Sequence, residues 1–158
     1  MSDQLKSTFW DRISDVRAGL LSAGDKRAVP MSPYARPDDN ALWFITAKGT
    51  DVAKAAQGSA AATFAIADSG AKLYGTVEGQ IAAVEDRSKL DEIWNAMAAA
   101  WFEDGKEDDD IQLVRMTPTT AEIWATDGAP SFLYEVAKAN LTDSTPDAGD
   151  HGVVSFAA

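Results

Sequence analysis

The sequence predicts a small, mostly antiparallel β-barrel with helices covering its open ends, and three observations carry that prediction. About six short segments are β-patterned, either alternating apolar with polar residues or rich in β-branched and aromatic ones. Two longer stretches, near the N-terminus and at 86–101, repeat apolar residues at helical spacing. Turn-forming clusters of Gly, Pro, Asn and Asp separate these segments, and no internal repeat or domain linker interrupts them.

Phe9, Trp10, Ile13, Val16, Leu20 and Leu21 lie on one helical face, Thr8 and Asp11 resemble a capping box, and Gly24 is placed to end this first helix. Residues 28–31 and 41–46 read as two strands of a hairpin, joined by a loop that includes the turn formers 36–40. A short helix at 51–57 follows, with Gly58 as its C-cap, and then a strand of small apolar residues at 60–68. The next strand, 73–83, contains Gly75 and Gly79, expected where a barrel strand bends or a ligand comes close. From Asp86, Leu90, Ile93, Trp94, Met97, Ala98 and Trp101 form an apolar helical face for the core or a subunit interface. Segments 111–116 and 121–124 read as two strands with a turn at 117–120. A short helix is expected within 131–141, a mobile polar stretch at 142–152 and a last short strand at 153–156. This divides the chain into one domain, 1–141, and a polar C-terminal tail, 142–158.

Composition sets the limits on function. A chain of 158 residues with 46% hydrophobic and 25% charged residues is globular and long enough to bury one core. No apolar run approaches the ~18 residues of a membrane span, and the first residues lack a basic, apolar leader. With zero cysteines, which fits a reducing compartment, the expected location is the cytoplasm. The net charge of −11 argues against nucleic acid and anionic membranes as partners, because both require a concentrated cationic face. Much of that charge falls in 103–110, a solvated loop without the ligand spacing of a calcium site. A contacting cation is barely screened by such distant charge, so an anionic ligand remains allowed.

The most informative stretch is 26–54. Just past the second strand, Thr46, Lys48, Gly49 and Thr50 bring two hydroxyls, a cation and a permissive glycine to a helix start. This pattern serves either as an anion site or as an ordinary strand-to-helix turn capped by Thr50. The sole histidine, His151, falls in the tail and is given no chemical role, and no nucleophile arrangement is present. The spacing of Trp94, Trp101 and Trp124 suits core packing better than a stacking cage.

Taken in order, Phe9-Trp10-Asp11, Val29-Pro30-Met31, Leu42-Trp43-Phe44-Ile45-Thr46, the glycine-containing strand 74–80, Ala100-Trp101-Phe102-Glu103-Asp104-Gly105 and Ala121-Glu122-Ile123-Trp124 resemble the general stress protein branch of the pyridoxamine 5'-phosphate oxidase-like family over roughly residues 7–126. The resemblance implies an FMN-binding split barrel, with FAD as the alternative flavin, and a homodimer holding the flavin at its interface. The apolar helix at 86–101 offers the dimer a surface. By the same resemblance Arg27, Pro30 and Met31 flank the flavin on the first hairpin strand, Ile45 and Thr46 approach it from the second, and Lys48 and Thr50 attend its phosphate. Tyr74 stands either near the flavin ring or as a cross-strand aromatic. Val29 stands where a second basic residue is common in the family, and Asp51 and Val52 stand where the oxidases proper have basic residues. The C-terminal Arg and His arrangement of true pyridoxamine phosphate oxidases is missing, so the resemblance does not extend to that reaction. It implies instead a flavin-dependent oxidoreductase passing hydride or electrons from a nicotinamide donor to another acceptor. A flavin store or sensor without turnover, and a homodimeric scaffold that has lost its flavin, are the alternatives.

Overall fold

The computed structural model describes residues 2–100, 102–126, 137–138, 141 and 149–156. Helix α1 (Ser2–Ile13) precedes β1 (Gly19–Ala23), β2 (Val29–Met31), β3 (Tyr34–Arg36) and β4 (Ala41–Ala47). Then come α2 (Asp51–Gln57), β5 (Ala60–Asp68), β6 (Leu73–Val84), α3 (Arg87–Ile93), α4 (Ala96–Ala99), β7 (Ile111–Thr126) and β8 (Gly149–Ser155). All pairings are antiparallel, in the order β2-β1-β5-β6-β7-β4-β3, and the sheet curls into a split barrel. The long β7 pairs with β6 along one side and with β4 and then β8 along the other.

Among the described residues eight strands replace the six or so expected, for identifiable reasons. The first helix stops at Ile13, and the apolar residues beyond it belong to β1, where Leu21 is buried while Leu20 is 46% exposed. Over so short a run, alternation and helical spacing predict the same apolar positions. The expected hairpin is two hairpins, because β2 turns back on β1 and the loop before β4 contains β3. Residues 117–120 form no turn. Pro118 is tolerated within β7 because the register shifts at Gly79, and the ladder resumes with Glu78 opposite Thr120. Gly75, at φ +143, is required where a Cβ would collide with the backbone of Glu122, so the glycines do mark bends. The helix expected at 86–101 is broken into α3 and α4 at Trp94, whose extended ψ of 133 ends the first. Asp86 starts α3, its side chain accepting from the Lys89 N–H. Trp101 and most of the helix expected at 131–141 lie outside the described residues. Residues 149–155, expected within the tail, are a strand of the sheet.

Alternation places Leu42 and Phe44 of β4, Phe64 of β5, Val77 and Ile81 of β6 and Met116 and Ile123 of β7 in one core. Phe9 and Ile13 of α1 close it with Val154 and Phe156, and Val52 and Ala56 of α2 close it beside β6. Burying each large apolar side chain contributes about 1.5–3 kcal/mol before entropy is counted. The other face of β4 is apolar as well. Ala41 and Trp43 pack with Leu113 and Ile93 in a smaller cluster, which is why α3 lies outside the barrel beside β4.

A candidate ligand cleft beside the end of β4

At the end of β4 the chain turns through Gly49, at φ +89, into α2. The Lys48 N–H donates to the Asp110 carbonyl at 2.8 Å, tying this turn to the start of β7. Thr50 Oγ1 accepts from the Ala53 N–H at 3.2 Å and donates to the Ala47 carbonyl at 3.0 Å, with Thr46 Oγ1 3.2 Å away. The turn capped by Thr50 that the sequence allowed is thus formed.

Beside this turn opens a cleft of about 470 Å³, within the size range of small-molecule sites. Pro30, Met31, Ile45, Thr46 and Thr50 all line it, so five of the residues named from the sequence meet here. Tyr34, Ala98, Phe102 and Asp110 also line it and were not named. Tyr34 was hidden in the supposed hairpin loop, although a polar and apolar alternation at 34–36 is visible in retrospect. Asp110 was hidden in the acidic run. Arg27 is exposed and does not line the cleft. Tyr74 pairs with Trp124, toward the opposite end of β6 and β7 from the cleft, so within one chain it is the cross-strand aromatic.

The far wall of the cleft is held by polar contacts. Tyr34 Oη donates to Asn95 Oδ1 at 3.2 Å, and the same oxygen caps α4 by accepting from the Ala98 N–H at 2.9 Å. Burial pushes the Tyr34 phenol above its ordinary pKa, and the Asn95 contact partly offsets this. Behind it, Lys89 Nζ bridges Asp39 at 2.7 Å and Glu92 at 3.2 Å, Arg36 pairs with Glu92, and Trp43 Nε1 donates to Asp39 at 3.1 Å. The hydrogen bond from Lys89 holds Asp39 below the usual carboxylate range, and that from Arg36 does the same for Glu92. Lys89 is raised, chiefly by its bond to Asp39. These pairs latch α3, and with it the Asn95 cap, onto β3 and β4.

Lys48, expected at a phosphate, instead lines a neighbouring groove of about 410 Å³ with Glu85, Asp86, Glu107, Asp108 and Asp109. Arg87 and Lys106 in this groove are paired with Asp91, and Arg87 also with Glu107. Among the described residues, no three His, Asp or Glu side chains are grouped to hold a metal ion.

Val52, where the oxidases proper carry a basic residue, is 4% exposed and belongs to the barrel core. The walls of the cleft therefore fit a flat apolar ring, whereas the cations expected for a phosphate do not assemble in it.

The fold has solved counterparts. The chain is similar to a general stress protein 26 from Jannaschia sp. CCS1, at 45% identity over 99% of this chain and 100% of that one, with a TM-score of 0.85. A general stress FMN/FAD binding protein from Xanthomonas citri is 26% identical over 80% of this chain and 92% of its own, with a TM-score of 0.70. The General Stress Protein 26 from Bacillus anthracis str. Sterne, at 22% identity, 76% and 93% coverage and a TM-score of 0.65, adds a likeness of fold alone. No curated protein matches the chain. The family described as Pyridoxamine 5'-phosphate oxidase like matches residues 4–147, nearly the whole chain, and to that family the chain belongs.

Proposed function

We propose that this chain is a flavin-binding split-barrel protein of the general stress type, with the flavin ring in the cleft beside β4. One observation carries the reading. The cleft gathers Pro30, Met31, Ile45, Thr46 and Thr50, the residues for which the family resemblance implies flavin contact, and gives them apolar walls. The Xanthomonas citri relative, described as binding FMN or FAD, supports the same ligand class. A bound flavin would supply the redox chemistry, transferring hydride or electrons between a nicotinamide donor and a second acceptor. Met31, Ile45 and Phe102 would hold the ring and exclude water, while the Tyr34 to Asn95 contact fixes the opposite wall.

A flavin store or sensor without turnover is favoured by one specific observation. Among the described residues, the only titratable side chains lining the cleft are Tyr34, raised by burial, and Asp110. The absorption spectrum of the purified protein, with and without added flavin, tests binding, and a colourless protein that takes up no flavin overturns it. Oxidation of NADH by the loaded protein then separates an oxidoreductase from a store.

We also propose a cytoplasmic homodimer. The apolar face of α3 is used internally, since Leu90 and Ile93 are buried. The surface available to a second copy is the outer sheet face, where Trp124 is 38% and Val153 61% exposed. Sedimentation of the flavin-loaded protein as a monomer at micromolar concentration would exclude this assembly. Among the described residues, no helix is long and apolar enough to cross a membrane.

A further inference from the structure

We infer that the cleft selects a flavin with an uncharged side chain, binding riboflavin at least as tightly as FMN. The inference rests on the flavin reading above and concerns which flavin is taken. Lys and Arg together number 14, and every one of them is among the described residues. None lines the cleft, and among the described residues its one charged lining side chain is Asp110.

The cations nearest in sequence are engaged or directed elsewhere. Arg36 and Lys89 belong to the latch behind Tyr34. Arg115 donates to the Asp39 carbonyl and lies over the Trp43 ring. Arg87 and Lys106 are paired with carboxylates in the neighbouring groove, which Lys48 also lines. Arg17, next to the lining residue Ala18, and Arg27 are both exposed and outside the lining.

One backbone donor at the start of α2 is also already spent. The Ala53 N–H of the first turn of α2 is already taken by Thr50 Oγ1, whose own proton goes to the Ala47 carbonyl. A phosphate dianion placed here would lose water without gaining a cation from this chain, and would meet a carboxylate instead. Thr46 and Asp110 suit a ribityl chain, because hydroxyls can donate to a carboxylate and exchange bonds with a threonine. The departures at Asp51 and Val52 have the same consequence. The first is exposed and acidic, and the second is buried in the core.

The test titrates the full chain with riboflavin and with FMN by flavin fluorescence at low salt. Riboflavin should bind as tightly as FMN or up to about tenfold tighter, and any gap should narrow as salt screens Asp110. Asp110→Asn should raise the affinity for FMN relative to riboflavin about threefold or more, and Lys48→Ala should change neither affinity. FMN binding more tightly than riboflavin to the unmutated protein overturns the inference, as does a weakened FMN in Lys48→Ala. Binding of neither flavin refutes the flavin reading itself, and that result is distinguishable because no ligand is taken up at all.

Discussion

The cleft and the charged groove meet at the Lys48 to Asp110 hydrogen bond, yet their chemistry is opposite. Thr46, Ala47, Thr50 and Asp110 line the apolar cleft, while Lys48, Asp108 and Asp109 line the groove crowded with charge. Residues adjacent in sequence are thus divided between two sites. In a continuous strand, Thr46 and Lys48 would share a face. Here β4 ends at Ala47, and the positive φ of Gly49 turns the chain before the next hydroxyl. A hydroxyl, cation, hydroxyl series in the sequence is therefore no phosphate site until the turn geometry places all three on one side.

The strongest way to break this comparison is to force a cation at position 52, where the oxidases proper carry one. Val52 lies in the barrel core, so Val52→Lys should destabilise the fold by about 3 kcal/mol or more and should not tighten FMN. Urea unfolding measures the loss, and a stable variant with improved FMN binding would show that α2 can turn this position outward. A cation carried across the rim is the constructive counterpart. Ala47 is half-buried and lines the cleft, so Ala47→Lys should raise the preference for FMN over riboflavin about tenfold. An unchanged ratio would mean that the flavin side chain does not reach this end of the cleft.

The latch that carries the far wall gives a smaller, pH-dependent effect. Lys89 is only 15% exposed and faces Asp39 and Glu92, so Lys89→Met should lose about 1 kcal/mol near neutral pH, discounted for the solvent exposure of the carboxylates. Asp39 and Glu92 titrate below their ordinary values in the folded chain. Their contribution is therefore present above the ordinary carboxylate range, near pH 4, and disappears as pH falls through the lowered folded values. Lys89 is raised, so its share is complete below its ordinary value and is lost only as pH climbs through the raised one. Denaturation of both proteins across pH should show a gap that is constant through neutrality and closes in acid. A gap that widens in acid would mean that the latch is not what these residues form.

How much of this was legible follows from which physical signal each element carries. β5 is a run of small apolar residues bounded by turns, while β6 alternates through Val77, Gly79 and Ile81, and its glycines mark bends as expected. β1 was read as helix because five residues cannot separate period 2 from 3.6, and β7 was split because Pro118 reads as a turn unless its bulged partner is known. β8 carries Asp, His and two glycines, with only its Val pair to suggest a strand. In the site, the residues named from β2 and β4 reached the cleft because a strand fixes their positions. Of those from the flanking turns, Thr50 reaches it and Arg27 and Lys48 do not, since turn direction is set by backbone dihedrals that residue identity constrains only weakly.

The smallest effect is expected at His151, and for a different reason than its supposed place in a mobile tail. It lies in β8 opposite Trp124, the two rings stacked at 4.3 Å with 6° between their planes, and Nε2 meets Glu122 at 3.0 Å. Both His151 and Glu122 are about half exposed, so their contact is weak, and an exposed cross-strand aromatic pair contributes only about 0.2–1 kcal/mol. His151→Ala should therefore cost less than about 1 kcal/mol in urea unfolding. Flavin affinity should not change, because Trp124 pairs with Tyr74 far along β7 from the Gln112 to Thr46 pairing beside the cleft. A large loss of flavin binding in a variant that remains folded could not arise within one chain. It would mean that a second copy lays this sheet face across the cleft, so the His151 variant also tests the dimer proposed on the exposed Trp124 and Val153 surface.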